Sequence, residues 1–96
     1  MKEAKSLKLI KRAIKMVDKD YKKINKNLSI ILQEASIDYT LGEKPFINLH
    51  LQKWNEADKS AVDYDIDIDL NNKYLNKSVI YGIINEHINL KDCYDF

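Results

Sequence analysis

A single α+β domain, ordered α-β-β-β-α over residues 1–96, is the fold class this sequence predicts. Two patterns carry that expectation. Residues 62–70 alternate without a break: Val62, Tyr64, Ile66, Ile68 and Leu70 are apolar, and Asp63, Asp65, Asp67 and Asp69 stand between them. Strict period-2 alternation marks a half-buried strand, here with one face on a core and four carboxylates on the other. A slip of one residue would bury all four aspartates, so the register is fixed. The second pattern is helical. Leu7, Ile10, Ile14, Val17, Tyr21, Ile24 and Leu28 recur at spacings of three and four, an a/d stripe over three heptads. Leu, Ile, Val and Phe make up 28 of the 96 residues, enough for one packed core. A domain this small has no room for a large buried active-site cleft as well.

Taken in order, residues 3–27 read as the first helix, uninterrupted by Gly or Pro. Asn25-Lys26-Asn27 suits a C-terminal cap with Asn in the left-handed conformation. The apolar spacing continues in phase to Ile31 and Ala35, so one longer helix also fits. A stop near Asn27 is preferred because a strand must follow. Leu28, Ile30 and Leu32 alternate in one phase, and Ala35, Ile37, Tyr39 and Leu41 in the other. One extra residue, a β-bulge near Gln33-Glu34, reconciles them. Gly42 to Pro45 reads as a turn. Phe46 to Trp54 is the next strand: Ile47, Leu49 and Leu51 face one way, and Phe46, Asn48, His50, Gln52 and Trp54 the other. A polar loop, residues 55–60, leads into the aspartate strand, which completes an antiparallel meander.

Residues 73–90 read as the second helix, with Leu75, Val79, Ile80, Ile83, Ile84, His87 and Ile88 along one stripe. Gly82 and the β-branched run around it also fit a fourth strand. The tail 91–96 is expected to be frayed.

Charge is unevenly placed. Residues 1–27 carry ten Lys and Arg against three acids, a net +7; residues 28–96 carry six Lys against twelve acids, a net −6. Such a chain offers partners of opposite sign at its two ends, or matches helix to sheet internally. The lone cysteine, Cys93, excludes an internal disulfide framework. There is no long apolar span and no apolar leader after Met1. A cytoplasmic location is the expectation.

Candidate chemistry is sparse. The aspartate row resembles the start of a calcium loop, but Ile68 stands where that loop needs glycine, and no Glu follows at its twelfth position. Same-face residues on a strand lie ~6.7 Å apart, too far to gather around one cation, so no metal is expected. No Ser/His/Asp order, Cys/His metal spacing or glycine-rich phosphate loop is present. We therefore expect a protein that is not an enzyme and holds no cofactor.

Three binding surfaces remain. Asp63, Asp65, Asp67 and Asp69, joined by Asp38, form an acidic strand face suited to a basic protein or to imitating phosphates. Its ordinary role is to solvate the sheet and prevent edge-to-edge pairing. Phe46, His50 and Trp54 place aromatic rings where polar residues are expected, as interfaces do. Lys8, Arg12, Lys15, Lys19, Lys22 and Lys26, with Lys23 alongside, form a basic helix stripe able to meet nucleic-acid phosphates. That helix lacks the Trp and Phe of a membrane-surface helix. The expectation is a small protein-binding module, an inhibitor of the immunity-protein, antitoxin or phage anti-defence kind that acts by occlusion. The alternatives are nucleic-acid binding through the stripe and self-association, as a homodimer, through the heptad face.

Overall fold

In a computed structural model, which describes residues 2–38, 46–69 and 75–94, the chain forms the α-β-β-β-α order expected of it. Helix α1 spans Lys2–Ile24; strands β1, β2 and β3 span Leu28–Asp38, Phe46–Asn55 and Ser60–Asp69; helix α2 spans Lys77–Tyr94. The strands pair antiparallel in the order β1-β2-β3. Both helices pack on one face of this sheet, α1 against β1 and α2 against β3, and on each other.

The core follows from the periodicities. Ile10, Ala13, Ile14 and Val17 of α1 meet Ile30, Ile47, Leu49, Leu51, Tyr64, Ile66 and Ile68 of the sheet and Ile80, Ile84 and Ile88 of α2. Its members are aliphatic apart from Tyr64. Lys53 also points to this side, and its ammonium lies 5.7 Å from the Tyr21 ring centre and 5.9 Å from that of Tyr64. Those faces give a cation at the core's rim a favourable seat. In β1 the register shifts between Leu32 and Glu34, so Gln33 is the extra residue. This is the bulge required by the two phases of apolar residues.

Several details differ from the expectation. Helix α1 ends at Ile24, and Ile24 is 80% exposed instead of closing the apolar stripe. No Asn takes the left-handed cap; among the described residues other than glycine only Lys59 has positive φ, at 54°. The chain turns through Asn25 instead: its backbone N–H donates to the Tyr21 carbonyl at 2.9 Å, and its side-chain oxygen accepts from the Asn27 N–H at 3.0 Å. A short polar side chain bonding its own backbone supplies the turn without left-handed geometry.

Helix α2 starts at residue 77, not 73, because Asn76 caps it; the Asn76 side-chain oxygen accepts the Val79 N–H at 3.0 Å. Residues 91–94, expected to fray, continue that helix. Residues 39–45, 70–74, 95 and 96, including the ends of two predicted strands and the turn at Gly42, lie outside the described residues. Among the described residues no helix is long and apolar enough to cross a membrane.

Candidate functional site

The face of the sheet turned away from the helices brings together two groups of residues that the sequence left as separate candidates. Alternation along β2 sends Phe46, Asn48, His50, Gln52 and Trp54 outward. The register then sets β3 partners beside each: Phe46 opposite Asp69, Asn48 opposite Asp67, His50 opposite Asp65, Gln52 opposite Asp63 and Trp54 opposite Ala61. On the other side, β1 contributes Ser29, Ile31, Glu34, Ser36 and the Asp38 position, the last paired with Phe46. The bulge keeps Glu34 on this face; in a regular strand, with Gln33 paired opposite His50, Glu34 would point into the core.

Three of the four aspartates, Asp63, Asp65 and Asp67, are held by side chains of β2. Asn48 Nδ2 donates to Asp67 Oδ1 at 2.9 Å, and Gln52 Nε2 donates to Asp63 Oδ1 at 3.3 Å. His50 sits between two of them, with Nδ1 3.2 Å from Asp65 Oδ1 and Nε2 3.8 Å from Asp63 Oδ1. These cross-strand pairs fix the carboxylates in a row at a strand's ~6.8 Å repeat. Among the described residues the face carries no lysine or arginine; the amides and the imidazole orient the carboxylates. Sequence reading placed Asn48 and Gln52 on this side of β2 but gave them no role. Their role depends on which aspartate lies opposite each, and that is a matter of register.

The aromatic positions share this face but do not form one patch. Phe46, His50 and Trp54 succeed each other every fourth residue, so neighbours stand ~13.6 Å apart along the strand with Asn48 and Gln52 between them. Each is half-buried. Trp54 closes one end of the face, its indole N–H donating to Glu56 Oε2 at 2.8 Å. Glu56 also bonds Lys59, and that bond first, with the indole second, holds its carboxyl below the usual range. Asn55 shapes the turn there, its side-chain oxygen accepting the Ala57 N–H at 3.0 Å.

His87, expected on the buried stripe, is exposed; Ile80, Ile84 and Ile88 form the buried line of α2, and His87 lies beside it. With Asp63, Tyr64 and Asp65 it borders a hollow of about 380 Å³ along β3. Among the described residues no three His, Cys, Asp or Glu side chains gather as metal ligands would.

The basic stripe lies elsewhere. Lys8, Arg12, Lys15, Lys19, Lys22 and Lys26 are all exposed, the first five on α1 and Lys26 in the turn after it. The heptad face behind them is taken up by the domain itself, since Ile10, Ile14 and Val17 are buried. A homodimer zipped through that face would have to unpack the core. The chain matches no protein-family model, no curated protein and no solved structure.

Proposed function

We propose that this protein is a non-enzymatic binding module that docks the open face of its sheet onto a basic surface of another protein and blocks that surface. The observation that carries the reading is the row Asp63, Asp65, Asp67 and Asp69. Three of its members are ordered by Asn48, His50 and Gln52, Glu34 accompanies it, and the face bears no lysine or arginine among the described residues. Preorganised carboxylates bind a cationic partner without first losing side-chain freedom, and a field of one sign raises the association rate.

The charge spacing favours a protein over a full imitation of nucleic acid. One charge per ~6.8 Å along β3 is half the density of a DNA strand, at one per ~3.4 Å. Trp54 and Phe46, at the two ends of the face, supply the large apolar contacts that interfaces use as anchors. Occlusion of this kind is how an inhibitor of the immunity, antitoxin or anti-defence type would act.

Affinity capture with the wild-type protein and with the Asp65→Lys/Asp67→Lys double variant tests the reading. A partner retained by the wild type and lost by the variant, with an association rate that falls as salt rises, is the expected result. A partner held equally by both proteins would rule the acidic face out as the contact surface.

A further inference from the structure

The outer face of α1 is a second docking surface, and we infer that its occupant is the phosphate backbone of double-stranded nucleic acid. Lys8, Arg12, Lys15, Lys19 and Lys22 fall within an arc of ~80° at 100° per residue, opposite the buried Ile10, Ile14 and Val17. From Lys8 to Lys22 the rise is ~21 Å, a length over which one strand of duplex DNA presents about six phosphates. Five cations meet those charges at similar density. Among the described residues only Lys22 of the five is paired with a carboxylate, Asp18 at 2.6 Å.

Toward the N-terminal end the stripe becomes concave. Lys5, Lys8 and Arg12 border a hollow of about 460 Å³ whose other described walls are Leu9 and Leu75. Cations around an apolar floor suit a phosphate and the sugar attached to it.

The fold removes the objection that an acidic body would repel such a ligand. The aspartate face points away from the helix layer, and α1 presents its cations on the far side of that layer. The two short dimensions of the molecule are 23 and 20 Å, whereas exposed charges are screened over ~8 Å at physiological ionic strength. A lipid surface fits less well. The cationic arc contains no large apolar residue to enter the headgroup region, as interfacial helices require.

The test is titration of a fluorescein-labelled DNA duplex of arbitrary sequence with the full chain at 50 to 200 mM salt, beside vesicles of anionic and neutral phospholipid. With about four to five phosphates neutralised, log K should fall against log salt with a slope of about −4, or ~250-fold across that range. Arg12→Ala, Lys15→Ala and Lys19→Ala should each reduce the slope by about 1. The Asp65→Lys/Asp67→Lys variant should leave the slope unchanged, which separates this surface from the sheet face. Absence of duplex binding at 50 mM salt overturns the inference. So does binding indifferent to the three α1 variants, or binding to anionic vesicles without binding to the duplex.

Discussion

Replacing Asp18 tests how the two layers of this domain are joined. Asp18 sits on α1, yet its Oδ1 accepts the backbone N–H of Ile30, on β1, at 2.8 Å, while the same carboxylate receives the Lys22 ammonium at 2.6 Å. The two bonds differ in worth. The pair with Lys22 is an exposed i,i+4 contact, worth about 0.3–0.5 kcal/mol. The bond to Ile30 uses a charged acceptor on a half-buried edge donor, worth about 1.5–3 kcal/mol. Alanine at position 18 loses both contacts and gains about 0.6 kcal/mol of helix propensity, so Asp18→Ala should cost a net ~1–3 kcal/mol. For a domain of this size that lowers the melting temperature by roughly 5–20 °C. Lys22→Ala should change it by no more than a few degrees. Asp18→Asn keeps an acceptor but loses the charge, and should fall between the two. Thermal unfolding followed by far-ultraviolet circular dichroism reads all three. If Asp18→Ala proves no more destabilising than Lys22→Ala, the carboxylate does not tie α1 to the edge of β1, and the reasoning fails.

Two further outcomes follow from local geometry. Gly82 is exposed in the interior of α2, and a Cβ built there meets nothing within 4 Å; Gly82→Ala should therefore stabilise by about 0.5–1 kcal/mol in urea unfolding, and a loss of stability would refute the open-space argument. The lone tryptophan reports on the turn: because Lys59 and then Trp54 favour the charged form of Glu56, its titration should fall below the ordinary 4.5. The contribution of these bonds is present above the unfolded value and lost as pH falls through the lowered folded one. Trp54 fluorescence against pH should show that acidic midpoint, and Lys59→Ala should move it upward; an unmoved midpoint would dismiss the Lys59 bond as its cause.

What was legible in the sequence depended on whether a signal was local. The β3 alternation gave both the strand and its inner face, because period 2 leaves no other way to bury Tyr64, Ile66 and Ile68. The bulge was legible as well, since two apolar runs of opposite phase cannot share one face without an extra residue. The heptad pointed to the core through Val17, then misled at Ile24. Spacing alone does not tell whether a partner surface continues under the last turn of a helix. His87 lies outside the core for a related reason: the buried line of α2 is the narrow series Ile80, Ile84, Ile88, and apolar spacing alone does not separate it from the neighbouring row at 83 and 87. Asp18 gave no local signal at all. It counted as one of three acids in a basic helix, and its role exists only because the chain returns past it at Ile30. The candidate site was half legible: each strand's outward residues could be named, but pairing His50 with Asp65, or Asn48 with Asp67, needs the inter-strand register.

The row of aspartates has an ordinary explanation, protection of an exposed edge, which the two edges of the sheet help to weigh. β3 is an edge strand, and a second copy brought against it would set carboxylates near carboxylates, which prevents sheet extension. β1 is also an edge, and it is managed differently: α1 packs against it, Asp18 takes one of its backbone donors, and acids occupy only two of its outward positions, 34 and 38. Edge protection is satisfied by charge of either sign, and lysine serves it at least as well as aspartate. It therefore does not account for four residues of one sign, three of them held in place by amides and an imidazole from the neighbouring strand. The Asp65→Lys/Asp67→Lys variant separates the two roles. If the carboxylates only guard the edge, lysines there keep the protein monomeric and every interaction intact. If the face is a docking surface for a basic protein, the same variant stays monomeric and folded, as light scattering and circular dichroism would show, and loses its partner.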